Sequence, residues 1–472
     1  VLIASPYRMA LDPAEVAAGR PYPPLGPMVH AAELRAEGVP AALFDATLEP
    51  DGRAFGLALA GHRPRRVAIV SDPHSIPVKM CTIGQRNAAL EMVEAARGAG
   101  AAVLVAGPDP TDHPEVYAAA GASVVVRGEA DDAVRAFGRG EDFPTQAVSG
   151  RVRTDLDALP DPAWALVNLP AYASRWRARH GRWELNLSTA RGCPYRCNWC
   201  AKPTWGRSYH AASPGRVAAA IHRLRTGPTP PDGLFFTDDI FAVKPAWLRS
   251  FREAVGPDPL PFRCNTRADL VREGAYVADL AAAGCTEVWM GAESGSDTVL
   301  AAMDKDQTRE DIRTAATRLR AAGIRVGFFL QLGYPGEGYR EALATLEMVR
   351  ELRPDEIGVS VAYPLPGTRF HEAVKDSLAQ ANWASAMDNE VLFAGAFPQP
   401  FYDSLREVLR AEHAWLSFAP GPDRRSLRRA LALPWHAARW PMHRARVAWY
   451  GRVSGVGPTS PAHESPPRSS SS

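Results

Sequence analysis

Short apolar runs alternate with helix-length amphipathic segments twice along this chain, and no other feature limits its fold as strongly. In the first stretch, residues 1–5, 41–44, 67–71, 102–106 and 123–126 read as strands, with 28–37 and 87–97 among the helices between them. Such repetition predicts a doubly wound, Rossmann-like parallel sheet over residues 1–150. In the second stretch, strands are predicted at 183–189, 233–237, 261–265, 286–290, 325–331 and 357–362. Six units of this kind make a partial (β/α)6 barrel over residues 183–375 rather than a closed eight-stranded one. The expected class is therefore α/β, with a helical C-terminal region.

The prolines around Leu159-Pro160-Asp161-Pro162 mark 151–182 as a linker. Residues 376–454 read as the helical region, a cover over the substrate or the surface. Its basic stretch carries Trp435, Trp440 and Trp449, which also allows contact with an anionic membrane surface, and Pro434 and Pro441 are expected to interrupt any long helix. The Ser/Pro-rich residues 455–472 are expected to be disordered. The opening run Val1-Leu2-Ile3-Ala4-Ser5 is too short for a signal peptide or membrane span and reads as a first strand. A net charge of +2 over 472 residues requires no polyanionic partner, so no nucleic acid is expected. Six scattered cysteines do not form a secreted disulfide framework, which points to a reducing cytoplasm.

Three of those cysteines crowd into Arg191-Gly192-Cys193-Pro194-Tyr195-Arg196-Cys197-Asn198-Trp199-Cys200. Three thiolates are one fewer than a closed zinc or cluster site requires, so a metal held here keeps an open position. A zinc site completed by a residue such as His210, or a set of buried structural thiols, are the alternatives. The apolar run 185–189 leads directly into the loop, as a strand delivering a site at its carboxyl end would.

The Cys-x3-Cys-x2-Cys spacing with an aromatic before the last cysteine resembles the radical S-adenosylmethionine (SAM) enzymes. The resemblance implies a four-iron four-sulfur cluster on Cys193, Cys197 and Cys200, whose fourth iron takes the amino and carboxylate groups of SAM and whose electron yields a 5′-deoxyadenosyl radical. It implies further that Trp199 lies near the adenine and that Thr237 and Asp238, ending the second barrel strand, lie near the methionine amino group. Glu293 and Ser294, past the fourth strand, and Gln331, after the fifth, are candidate cofactor contacts. Arg267 is a candidate for the methionine carboxylate, with pairing to Asp269 as its alternative.

In the first domain, Pro23-Pro24-Leu25-Gly26, then Gly107 and Thr111 in Gly107-Pro108-Asp109-Pro110-Thr111, then Arg127-Gly128-Glu129 resemble the cobalamin-binding domain of one branch of that family. Pro24, Leu25, Gly26, Gly107, Thr111, Gly128 and Glu129 are the residues carried over. The Asp-x-His-x-x-Gly motif that supplies a lower cobalt ligand is missing; its near approach, Asp72-Pro73-His74-Ser75-Ile76-Pro77, lacks the glycine at the required spacing, and the resemblance to branch members without the motif implies a corrinoid without a protein histidine ligand. A Rossmann-like module that binds nothing is the alternative, and no Gly-x-Gly-x-x-Gly follows the first strand to suggest a dinucleotide. Together the resemblances imply methylation of an unactivated carbon of a small-molecule substrate, with a low-potential donor such as flavodoxin or ferredoxin. Cyclisation or rearrangement with the same cofactors, or a non-catalytic sensor, are the alternatives. No side chain is singled out as catalytic.

Overall fold

Runs of Val, Ile, Leu and Ala with no polar alternation build strands buried on both faces, the pattern of a parallel sheet covered by helices. The computed structural model describes residues 1–201, 204–379, 382–384, 389–416 and 424–454, so the 455–472 tail lies outside the described residues. Strands β1 (Leu2–Ser5), β2 (Ala42–Asp45), β3 (Arg66–Val70), β4 (Ala102–Ala106) and β5 (Val124–Arg127) stand where the apolar runs predict them. Their order is β2-β1-β3-β4-β5, all parallel. One face packs on Phe55, Met92, Val93 and Tyr117, the other on Leu34, Val134 and Phe137. Two helices matter for the site, α1 (Leu25–Ala36) and α2 (Asp131–Arg139). A sixth strand, β6 (Ala147–Ser149), joins the sheet beside β5. Three residues without an apolar run gave no signal for it.

Residues 151–182, read as a linker, contain the helix α3 (Leu169–His180). Asn168 caps it by accepting from the Ala171 amide, and Gly181 ends it in a left-handed turn. Its buried Trp176 donates to the Pro21 carbonyl at 2.8 Å, and its Tyr172 donates to Asp45 at 2.5 Å. The preceding prolines hid a segment whose order comes from these distant partners.

The second sheet runs in chain order: β7 (Glu184–Leu187), β8 (Gly233–Phe236), β9 (Phe262–Thr266), β10 (Cys285–Glu293), β11 (Arg325–Leu332) and β12 (Glu356–Val361), each parallel to the next. This is the curled half-barrel that six β/α units predict. Both sheets lie within the unit Val1–Gly395.

A second unit begins at Ala396 and holds α4 (Gln399–Leu416) and α5 (Arg424–Ser454). The expectation that Pro434 and Pro441 break the helix is corrected: α5 runs through both. Each proline removes a single N–H donor, and the hydrogen bonds on either side carry the helix past it. Among the described residues no helix is long and apolar enough to cross a membrane.

Candidate active site

The cysteine loop leaves the carboxyl end of β7 through Ser188 and Thr189, where four donors converge on one carboxylate. Oδ1 of the buried Asp238 accepts from Ser188 Oγ at 2.9 Å and from the Thr189 and Ala190 amides at 2.8 Å each. Its Oδ2 accepts from Thr189 Oγ1 at 2.6 Å. Burial pushes this carboxyl up to about 6 against the pull of those hydrogen bonds. Oδ1 takes three of these donors and Oδ2 one, so Asp238 shapes the loop mainly through Oδ1 while Oδ2 keeps an acceptor position. Thr237 lies beside it, buried, with its hydroxyl directed at the Leu187 carbonyl.

Ala190 and Arg191 then pair antiparallel with His210 and Ala211, and Gly192 turns the chain at φ 80°. A Cβ at Gly192 would collide with the Ser208 carbonyl oxygen, so only glycine admits this turn into Cys193. Cys193 is buried; Cys197 and Cys200 are half-buried. Arg267, 2% exposed, sits behind the loop: Nη1 is 3.7 Å from Cys197 Sγ, and the guanidinium lies 3.8 Å from the Tyr195 ring centroid. Nε of the same residue donates to Asp269 at 2.8 Å and Nη2 to the Lys305 carbonyl at 2.6 Å. Arg267 thus pairs with Asp269 while its Nη1 faces the loop thiol.

On β10, Glu293 adopts φ 56°, a left-handed backbone at a bulge in the pairing with β11. Its Oε1 accepts from Lys305 Nζ at 2.8 Å in the interior. Burial pulls the Lys305 pKa down, but Glu293 and Cys197 outweigh it and hold the ammonium above its usual value. Lys305 also stands 5.8 Å from the Trp199 ring centroid. A Cβ at Gly291 would collide with both ends of the pair. Trp199 packs against the apolar cluster that holds Met303, Tyr334 and Phe370, and its Nε1 is buried with no hydrogen-bond partner among the described residues. Gln331 Oε1 is buried and unpartnered in the same way. Ser294, by contrast, lies 3.3 Å from Thr345 Oγ1 and accepts from the Ser296 amide.

The first sheet presents its loops to this face. Asp72 accepts from the Leu25 and Gly26 amides at 2.9 and 3.0 Å, closing the start of α1 just after Pro24. Thr111 Oγ1 donates to the Gly107 carbonyl and accepts from the Gly128 amide, tying two crevice loops together. Gly107 has φ 123°, and a Cβ there would meet the Ser71 carbonyl oxygen at 2.5 Å. Arg191 donates to Glu129 and, at 2.9 Å, to Asp131, all three buried. Arg191 holds Asp131 well below the usual carboxylate range despite burial, whereas burial raises Glu129. His74 packs on Trp205 with ring centroids 4.8 Å apart and planes tilted by 53°, and burial drives its imidazole well below its usual pKa.

Between the sheets lies a cavity of about 220 Å³ whose barrel side is Asn186, Phe235, Thr237, Asn265, Trp289 and Phe329. Below it Tyr22 donates to Glu184, and Arg263 donates to Glu184 and to the Tyr22 hydroxyl at 2.6 Å each. Of the predicted site residues, the structure gathers Cys197, Trp199, Arg267 and Glu293 around Lys305. Pro24, Leu25, Gly26, Gly107, Thr111, Gly128 and Glu129 form a separate set at the ends of the first sheet's strands. Sequence reasoning missed Lys305, which no motif marks. In the sequence Arg191 stands only as the lead into the cysteines, and its role depends on Glu129 and Asp131, which the fold brings to it.

Residues 187–349, from the end of β7 through β11, match the family described as Radical SAM superfamily. The chain carries a radical SAM domain. That radical SAM domain includes every cysteine of the loop together with Asp238, Arg267, Glu293 and Lys305. An uncharacterized methyltransferase of Pyrococcus horikoshii is 26% identical over 60% of this chain and 65% of its own length. The anaerobic magnesium-protoporphyrin IX monomethyl ester cyclase of Cereibacter sphaeroides is 23% identical over 52% of this chain and 40% of its own. The chain therefore spans from 40% to 65% of the length of these curated relatives. The radical SAM methyltransferase TsrM of Kitasatospora setae, solved with cobalamin and a [4Fe-4S] cluster, aligns with a TM-score of 0.64 at 18% identity, over 79% of this chain and 77% of that one. The two share a fold that spans both sheets.

The donor set suits a cluster: three thiols lie on one short loop, with the Arg267 guanidinium 3.7 Å from Cys197 Sγ. Gly26, Gly107 and Gly128 bring backbone to the crevice, which His74 and Trp205 border and which is closed down to about 20 Å³, so a flat ligand lying on these glycines would require the two rings to move aside.

Proposed function

We propose that this chain is a cobalamin-dependent radical SAM methyltransferase acting on an unactivated carbon of a small molecule. The observation that carries the reading is the buried pairing of Arg191, two residues before the first loop cysteine, with Glu129 of the Arg-Gly-Glu crevice loop. It sets the crevice of one sheet beside the cysteine loop of the other. When bound, a four-iron four-sulfur cluster supplies the electron that cleaves SAM to a 5′-deoxyadenosyl radical, and a corrinoid supplies the methyl group.

In this reading Cys193, Cys197 and Cys200 hold the cluster, while Asp238, Gly192 and Arg267 hold the loop in shape. Trp199, Thr237, Glu293, Ser294 and Gln331 surround SAM, and the unpartnered Trp199 Nε1 and Gln331 Oε1 are the free donor and acceptor for it. Pro24, Leu25, Gly26, Gly107, Thr111 and Gly128 line the corrinoid crevice, with Glu129 anchoring it through Arg191. Phe235, Trp289 and Phe329 keep water from the substrate cavity, and the unpartnered Asn186 Oδ1 orients a donor group on the substrate. A low-potential donor such as flavodoxin or ferredoxin and a reducing cytoplasm complete the proposal. Trp449, 56% exposed on the basic helix α5, is the residue placed to touch an anionic membrane surface.

The similarity to a cyclase supports a second reading, cyclisation or rearrangement with the same cofactors. Anaerobic incubation of reconstituted protein with SAM, cobalamin and a low-potential reductant, read by mass spectrometry, separates the two. S-adenosylhomocysteine together with 5′-deoxyadenosine supports methyl transfer. 5′-Deoxyadenosine alone supports the second reading, and absence of both nucleosides refutes each.

A further inference from the structure

Where α1 meets α2, three buried side chains bring potential metal-ligand atoms together. His30 and Glu33 stand three residues apart on one face of α1, and Asp131 opens α2. One ring nitrogen of His30 and one oxygen from each acid lie within 4.8 Å of one another. His30 Nδ1 is 3.7 Å from Glu33 Oε2. The three residues are only 5%, 5% and 3% exposed. His30 Nδ1, Glu33 Oε2 and Asp131 Oδ1 have no hydrogen-bond partner among the described residues, an arrangement that costs free energy unless something fills the space between them.

The other oxygen of each acid is already taken. Arg153 donates to Glu33 Oε1 at 3.0 Å and Arg191 to Asp131 Oδ2 at 2.9 Å, while Arg135 approaches Glu33 Oε1 at 3.8 Å. A carboxylate gripped through one oxygen and open at the other is how outer partners orient a metal ligand. Arg153, Arg135 and Arg191 meet these acids through their outer oxygens, and Arg153 and Arg135 are also shared with Asp132. A cation between His30, Glu33 and Asp131 would occupy the side of the acids that the arginines leave open. A void of about 20 Å³ bordered by His30, Asp131, Gly26 and Gly128 has room for one water as a further ligand.

We propose that His30, Glu33 and Asp131 bind a divalent first-row transition ion such as zinc or manganese, the class that one imidazole and two carboxylates select. Through Asp131 the ion braces Arg191, and with it the start of the cysteine loop. It is separate from the three thiolates and does not depend on the reaction proposed above.

The test uses the full-length chain with Cys193, Cys197 and Cys200 replaced by alanine, so that no loop thiolate competes, and titrates it anaerobically with Co²⁺. One equivalent bound by equilibrium dialysis, with ligand-field bands lacking sulfur-to-cobalt charge transfer and a raised thermal midpoint, is the expected result. H30A and E33Q should each lose the equivalent and the thermal response while keeping the native far-UV spectrum; the near-isosteric E33Q decides should H30A not fold. Absence of bound cobalt, or equal binding in E33Q, overturns the proposal. So does an imidazolium signal from His30 that persists at saturating Co²⁺, because a proton then occupies the position assigned to the ion.

Discussion

Arg191 and Glu129 form a buried ion pair that joins the two sheets, 62 residues apart in the chain. Asp131 accepts from the same guanidinium nitrogen at 2.9 Å. Replacing Arg191 with methionine leaves two carboxylates without their cation in the interior, a change that costs about 3–5 kcal/mol. Denaturant unfolding of R191M should show that loss, and iron per chain after reconstitution should fall with it. R191K keeps the charge but not the fork and should lie between. A loss below about 1 kcal/mol in R191M, the range of an exposed pair, would mean that the pair is not closed in solution.

Asp238 takes four hydrogen bonds from the segment that leads into the cysteines. Alanine in its place strands donors that each cost about 1–3 kcal/mol when unpaired and buried. D238A is expected to reconstitute with at most half the wild-type iron and sulfide, and D238N, which retains one acceptor oxygen, with an intermediate amount. Wild-type iron content in D238A would show that the loop does not depend on this carboxylate.

The Glu293 and Lys305 pair fills the space that a side chain at Gly291 would need. G291A should therefore displace the pair and weaken SAM binding at least tenfold, about 1.4 kcal/mol, while the visible spectrum of the cluster stays unchanged. Calorimetric titration of SAM into the reconstituted variant measures this. Equal affinity in wild type and G291A would place Glu293 outside the SAM site.

Glu337 accepts from the Gly333 amide through Oε2, but its Oε1 is buried without a partner. Burial, reinforced by Glu341, pushes it up to about 8 from 4.5. The folded chain therefore holds this proton more tightly than the unfolded chain does. The resulting stability is complete below about 4.5 and is lost as pH rises through about 8. Asp238, raised to about 6, adds to the decline in the lower part of that window. The thermal midpoint should fall between these limits, and E337Q, neutral in both states, should show a shallower slope. An identical slope in wild type and E337Q would refute the assignment.

Eleven strands stand where the apolar runs predict them, because a strand covered on both faces writes its burial into consecutive residues. Strand β6 and helix α3 left no such record. Ala147–Ser149 is held by pairing with β5, and α3 by Tyr172 on Asp45 and Trp176 on Pro21, partners more than 100 residues away in the chain. At the site, the cysteine loop was legible because its chemistry depends on spacing along a few residues. The companions of those cysteines were not: Lys305 meets Glu293 at a bulge in β10, and Asp238, at the end of β8, is met by four donors from the loop after β7.

Read alone, the order of residues determined two parallel sheets and a loop of three thiols at the end of one strand, since periodicity and short spacing are covalent facts. Which charges neutralise one another was decided only in three dimensions. Arg191 with Glu129 and Asp131, Lys305 with Glu293, and the cluster of His30, Glu33 and Asp131 exist because folding removes water from these groups, near or far in the chain, and each buried charge must then be met by whatever the topology brings within reach.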